Sequence, residues 1–359
     1  MQTDIKRVEP VSGAPALVRP GQLLTDARGA AAAARWTAAT AEADGLFRLM
    51  LSPGVDVCDL AVTIRDRGHP ASPNHVLVGQ PLYFGGPASR PFPAAAPPAP
   101  RDDGHGEDDG SGDGAVIVAV ADTGLAAHPW WRERPWFRGR PRESAEPPDS
   151  DGDGRLDAQA GHGTFVTGLV LRSAPAARIR PLRVLNGHGV GDEAGLLRAL
   201  TRLRNDPPQV LNLSFGGHTF DDEPSPLVEA ALAGLADTAV VACAGNTASD
   251  RPFWPAALPG VVAVGALDVS GEARAPFSAH GSWVDACARG EWLTSAFLEH
   301  GAFHGYARWS GTSFATAVVS GAIASAARGL PPKEAAAHVL DPARARQIRD
   351  LGSVVPEPG

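Results

Sequence analysis

Four residues of this 359-residue chain carry the means of nucleophilic catalysis. In Trp309-Ser310-Gly311-Thr312-Ser313-Phe314-Ala315-Thr316, a glycine-braked turn sets Ser313 at the mouth of an alanine-rich helical stretch. A serine hydroxyl is inert at its own pKa, so it needs a base and a group that orients the base. Gly161-His162-Gly163-Thr164 opens a second helical stretch, and its glycines leave the imidazole unshielded. Histidine is the side chain whose ordinary pKa suits proton transfer near neutrality. Asp122 directly follows the apolar run 116–121 and precedes Thr123-Gly124, which places a positioned carboxylate at a strand tip. Asn246 closes Cys243-Ala244-Gly245-Asn246 at the end of another apolar run, with an amide able to donate to a developing oxyanion. Each has an ordinary explanation when taken singly: Ser313 as a helix N-cap, His162 as a solvated cap, Asn246 as a turn residue.

The elements that would position these residues alternate along the chain. Short apolar runs at 115–121, 179–185, 210–215, 239–244 and 261–266 are separated by helix-spaced segments at 162–172, 193–204 and 227–236. This alternation predicts an α/β fold, a parallel sheet with helices on both faces, whose site lies at the strands' C-terminal ends. Ahead of it, a strand at 22–25, a helix over 27–43 and strands at 47–51 and 58–64 predict a small α+β domain over residues 1–93. Residues 94–114 combine proline, glycine and acid without periodicity and read as a linker. The larger domain then covers 115–345, and 346–359 form a C-terminal tail.

Composition limits the partners. Apolar residues make up 43% and charged residues 20%, an ordinary globular balance, and the net charge of −8 argues against nucleic acid or an anionic membrane as partner. The first twenty residues hold no apolar core of a signal peptide, and no segment approaches the roughly 20 apolar residues that span a bilayer. Cys58, Cys243 and Cys287 are too few and too scattered for a disulfide framework or a zinc site. A cytoplasmic location is the resulting expectation.

The chain order Asp122, His162, Ser313, each at a strand tip or helix start, is that of subtilisin. On Ala121-Asp122-Thr123-Gly124, Gly161-His162-Gly163-Thr164, Gly245-Asn246 and Gly311-Thr312-Ser313, the sequence resembles the subtilisin-like serine proteases, the S8 or subtilase family, over about 114–345. The resemblance implies a serine endopeptidase acting on extended polypeptide. Ser313 would be nucleophile, His162 general base and then acid, Asp122 orienter of the imidazole, and Asn246 oxyanion donor. Substrate would pair with Ser214, Phe215 and Gly216, and no cofactor would enter the chemistry. Three departures mark a divergent branch: Phe165 where the family has histidine, Ala317 where proline follows the nucleophile, and Ala288-Arg289-Gly290 for Ala-Pro-Gly. The sedolisin relatives use glutamate as base, and His162 argues against them.

Two further segments invite a reading. Asp149, Asp151, Asp153 and Asp157 alternate around Gly152 and Gly154 as in the first half of a calcium-binding loop, yet the twelfth position is Ala160 rather than a bidentate glutamate. The run is therefore a weak structural calcium site, a site completed by another residue, or a solvated acidic turn. Ser72-Pro73-Asn74-His75-Val76 resembles the end of the family's inhibitory prosegment, which implies intramolecular inhibition by residues 15–80; a partner-recruiting adaptor is the competing reading. Two other accounts of the whole chain remain: a catalytically silent binding module on the same fold, and an aspartic protease, which leaves His162 and Ser313 unexplained.

Overall fold

The computed structural model describes residues 4–79, 90–100 and 115–357, whose contacts divide into two units. The smaller takes Met1–Leu77, Gly191–Asp206 and Gly217–Ala236. Its elements run β1 (Ala16–Thr25), α1 (Ala27–Ala33), β2 (Thr37–Ala43), β3 (Leu46–Leu51), α2 (Val57–Asp66) and β4 (Ala71–Val78), and its antiparallel strands lie in the order β2-β3-β1-β4.

The unit contains both helices and antiparallel strands, and two of its elements differ from the sequence reading. The helix over 27–43 stops at Ala33, because Thr37–Ala43 enters a ladder with β3 that overrides the helix propensity of its alanines. Residues 58–64, expected as a strand, lie in α2. The Asp56 carboxylate caps that helix, accepting from the Cys58 and Asp59 amides at 2.8 and 3.2 Å, and Val57, Cys58, Leu60, Ala61 and Ile64 share its buried face.

The expected helices at 193–204 and 227–236 form as Glu193–Leu203 and Pro226–Ala233, and their contacts place them in this smaller unit. Glu193 is buried there. Its Oε2 accepts from Ser72 Oγ at 3.0 Å and lies 2.9 Å from His75 Nδ1, while Asn74 Oδ1 accepts from the Ala194 amide at 3.0 Å. These polar contacts tie β4 to the helix start.

The larger unit takes Val78–Val190, Pro207–Gly216 and Asp237–Gly359. Its sheet consists of β5 (Ile117–Asp122), β6 (Arg178–Arg183), β7 (Val210–Leu213), β8 (Ala239–Cys243), β9 (Val261–Leu267), β10 (Ala286–Arg289) and β11 (Gly352–Val354). They pair in parallel in the order β11-β10-β9-β8-β7-β5-β6. Near-continuous Val and Ala runs suit strands of a covered parallel sheet. Helices α3 (His162–Ser173) and α4 (Thr312–Ala326) pack against each other and on these strands, burying nearly every residue they contain.

The domain limits read from sequence shift accordingly. Phe92–Pro93 pairs with the strand Phe303–Trp309 of the larger unit, so the smaller unit's N-terminal stretch ends at Leu77 rather than at 93. Residues 346–359, expected as a tail, contribute β11 and the strand Gln347–Ile348, which pairs antiparallel with it. Residues 94–100 carry no regular structure, and the rest of the expected linker, 101–114, lies outside the described residues. Among the described residues no helix is long and apolar enough to cross a membrane.

Candidate active site

Because β5, β7 and β8 are adjacent and parallel, their C-terminal ends open on one edge of the sheet. Asp122 ends β5, Ser214 follows β7, and Gly245-Asn246 follows β8 by one residue. His162 is the first residue of α3. The approach of that helix to the Asp122 turn requires glycine at 163, where a Cβ would lie 2.2 Å from the Gly124 carbonyl oxygen. His162 Nδ1 then stands 2.8 Å from Asp122 Oδ1, with both side chains 1% exposed. The Thr123 amide donates to the same Oδ1 at 2.7 Å.

Aromatic rings box the imidazole. Trp309 meets it edge-on at 5.5 Å and Phe314 at 5.3 Å. Phe165 packs on Phe314 at 4.5 Å and is fully buried. The departure from histidine at 165 is thus a core substitution beneath the ring, not the loss of a reacting group.

Ser313 lies in the first turn of α4. Its hydroxyl donates to the Ser214 carbonyl at 3.0 Å and approaches the Gly79 carbonyl oxygen at 3.4 Å, while His162 Nε2 has no hydrogen-bond partner among the described residues. The Asp122–His162 arm is formed, and the serine hydroxyl is turned to Ser214. Ser214 Oγ returns a bond to the Ser313 carbonyl at 3.0 Å and accepts from Asn212 Nδ2 at 2.9 Å, which ties the end of β7 to the start of α4.

Asn246 Oδ1 accepts from the Thr312 amide and hydroxyl, both at 2.9 Å. With its acceptor end held, its Nδ2 is the end left to donate. Asn246 lines a cavity with Val78, Gly79, Cys243, Gly245, Thr247 and Phe253. Burial pushes the Cys243 thiol up to about 12, so this neighbour of Ser313 stays protonated.

Of the three residues expected to hold substrate, Phe215 is buried in the core and Gly216 exchanges both backbone hydrogen bonds with Val78, at 2.8 and 3.1 Å. Gly79 continues this line, donating its amide to the Gly189 carbonyl at 2.9 Å. Two residues of the chain itself therefore lie where an extended peptide was expected.

The acidic loop splits into two groups sharing Asp151. Asp149, Asp151 and Asp153 bring carboxylate oxygens within 4.8 Å of one another, and Asp151, Asp157 and His188 form the second group. Asp149 is held below the usual carboxylate range by amides of its own loop, first that of Gly154. Asp157 turns inward to the Ser150 amide at 3.0 Å, and Ala160 is fully buried without an oxygen to offer. The carboxylates of the first group suit a hard cation; the imidazole of the second does not.

One polar residue at the site was not anticipated. Glu146 is buried and contacts residues on both sides of the Asp122–His162 pair. It belongs to no motif, since its partners lie 15 to 23 positions away.

Comparisons with known proteins bear on the family and the fold. Residues 113–351 match the subtilase family, Peptidase S8. The chain is 34% identical over 220 residues to Subtilisin Savinase of Lederbergia lenta, covering 58% of this chain and 75% of that protein. It is 30% identical over 221 residues to thermitase of Thermoactinomyces vulgaris, covering 58% and 74%. Against the alkaline protease of Shouchella clausii it is 34% identical over 220 residues, covering 58% of this chain but 53% of the relative. The crystal structure of a cold adapted subtilisin-like serine proteinase superposes with a TM-score of 0.54 at 27% identity, over 68% of this chain and 90% of that one. The chain belongs to the subtilase family, the S8 serine peptidases.

Proposed function

We propose that the chain is a serine endopeptidase in which Asp122, His162 and Ser313 act as a triad and Asn246 as an oxyanion donor. The observation that carries the reading is the 2.8 Å contact between His162 Nδ1 and Asp122 Oδ1, which leaves Nε2 free to take a proton. A turn of the Ser313 hydroxyl from the Ser214 carbonyl toward Nε2 activates the oxygen for attack on a peptide carbonyl. Asp122 stabilises the imidazolium that forms. The oxyanion meets Asn246 Nδ2 and the Ser313 amide, one of the first-turn N–H groups that α4 cannot use itself. The imidazolium protonates the leaving amine, and water, activated by the same histidine, releases the acyl group. The chemistry of this family needs no cofactor.

Substrate in this reading adds an extended strand against Gly216, as Val78 does. The same observation supports intramolecular inhibition by residues 15–80, because a peptide cannot pair with Gly216 while Val78 holds both of its hydrogen bonds. The carboxylates of Asp149, Asp151 and Asp153 support a structural calcium ion, with Asp157 as a further ligand if its bond to Ser150 opens. Three free, buried thiols are compatible with the cytoplasmic location expected from the sequence.

The reading is tested by labelling the full chain with a fluorophosphonate probe, with and without calcium, before and after trypsin clipping between 94 and 114. An adduct on Ser313 that disappears in His162→Ala is expected. No adduct on folded protein under any of these conditions would sink the reading.

A further inference from the structure

Glu146 is buried, and the reaction sequence above leaves it without a role. Its Oε1 accepts from the Gly161 amide at 2.7 Å and from the Thr123 hydroxyl; its Oε2 accepts from the Thr164 hydroxyl at 2.6 Å and amide at 3.2 Å. Thr123 follows Asp122 in sequence, and Gly161 and Thr164 bracket His162. The Thr123 hydroxyl also accepts from the Gly163 amide at 2.9 Å and lies 3.2 Å from Asp122 Oδ1. Helix α3 has no capping side chain at its own N-cap, Gly161, so Glu146 caps it from another segment, at the positive end of its dipole.

We propose that Glu146 is a positioning residue for the reaction, fixing the Asp122 turn and the start of α3 at the separation that sustains the Asp122–His162 hydrogen bond. This rests on the triad reading. A carboxylate satisfied only by its own loop would serve folding alone; this one bonds on both sides of the catalytic pair and to neither of its members.

The position has a protonic consequence. Burial pushes the Glu146 carboxyl up to about 7, Asp122 adds to the rise, and the bonds from Thr123, Thr164 and Gly161 oppose it. Thr123, Gly161 and Thr164 carry no charge, so Asp122 on β5 and His162 on α3 are the titratable neighbours from the elements packed here. The one hydroxyl hydrogen of Thr123 faces two acceptors. When Glu146 is ionised it goes to Glu146; when Glu146 is protonated, the acid donates to Thr123 and that hydrogen turns to Asp122. A proton on Glu146 therefore changes the hydrogen bonding of the carboxylate that orients His162.

The test is the rate of fluorophosphonate labelling at Ser313 as a function of pH, per folded molecule, in the full-length wild type and in Glu146→Gln, with melting temperatures measured alongside. Labelling of the variant is expected to slow about tenfold or more, and its acid limb to show one ionisation where wild type shows two. A folded Glu146→Gln protein with wild-type rate and pH profile overturns the proposal. If that variant does not fold, Thr123→Val carries the same comparison, since it removes the link to Asp122 and leaves Glu146 its other bonds; wild-type behaviour there overturns the proposal equally. A wild type that forms no adduct either as the full chain or after clipping between 94 and 114 overturns the triad reading itself, an outcome separate from either variant result.

Discussion

The Gly79 carbonyl oxygen lies 3.4 Å from Ser313 Oγ, a contact spanning 234 positions of sequence. Gly79 directly follows β4, whose last residue, Val78, is already paired with Gly216. With Ser313 as the proposed nucleophile, a chain that meets it in this way is either cut there or remains in place as a block.

Cutting is the expected outcome, at Gly79-Gln80. The Gly79 carbonyl lies within reach of the hydroxyl, and the next bond leads into Pro81, a tertiary amide whose ring restricts the conformations open to attack. Intact-mass measurement of purified wild type is expected to show a fragment ending at Gly79, while Ser313→Ala remains whole. Identical uncut masses for the two proteins would rule out self-processing and leave a permanent block.

Substitutions within the triad test its concerted action. Ser313→Ala, His162→Ala and Asp122→Asn are each expected to lower kcat on a peptide substrate by about 10⁴-fold or more, and the double variants little further, as the proposed triad acts as one unit. Asn246→Ala removes the proposed oxyanion donor and is expected to lower kcat by about 10² to 10³-fold with KM nearly unchanged. Losses that multiplied across the double variants would show independent roles.

How far the site could be read in advance depended on where each residue sat. Asp122, His162, Asn246 and Ser313 were legible because glycine-marked turns follow or open long periodic runs, which locate strand and helix ends. Glu146 was not: Ser144-Ala145-Glu146-Pro147-Pro148 has no periodicity, and its role exists only after three distant turns converge. Residues 37–43 read as helix because alanine favours helix locally, whereas pairing with β3 decides the outcome. The strands at 347–348 and 352–354 are too short to leave any pattern. The helices at 193–203 and 226–233 were found, but their membership in the smaller unit depends on contacts such as Glu193 to His75, 118 positions apart.

Calcium is expected to stabilise the protein through the loop at 149–157. In a Ser313→Ala background, melting temperature should rise with added calcium and fall with a chelator. Saturation at 100 times the dissociation constant corresponds to about 2.7 kcal/mol. Asp149→Asn and Asp153→Asn should abolish the difference. Equal melting temperatures with calcium and with chelator would identify the run as a solvated acidic turn.

The raised Glu146 carboxyl makes stability depend on pH with a definite sign. Its folded pKa, about 7, lies above the ordinary glutamate value near 4.5, so between these pH values the native state binds more protons than the unfolded state. Native stability from this group is full below about 4.5 and is lost as pH rises through about 7, by about 3 kcal/mol at 1.36 kcal/mol per unit. Guanidinium unfolding of Ser313→Ala at several pH values, with and without Glu146→Gln, isolates the contribution. The two stability curves should converge at the acid end and separate upward in pH, with the glutamine protein losing less; parallel curves would show that Glu146 titrates normally.

Leu185 bears on substrate choice. A Cβ on Gly79 would lie 3.2 Å from Leu185 Cδ1 and 3.8 Å from His162 Cε1, so Leu185 crowds any side chain carried by the residue beside Ser313. Wild type is therefore expected to cleave after glycine in preference to larger residues. Leu185→Ala should relieve that contact, so that peptides with alanine or leucine before the cut gain about tenfold in kcat/KM relative to those with glycine. Loss of one contact of about 1 to 3 kcal/mol is the scale on which such pockets discriminate. If the profile of cut sites in a peptide mixture is the same for both proteins, Leu185 does not border the reacting residue.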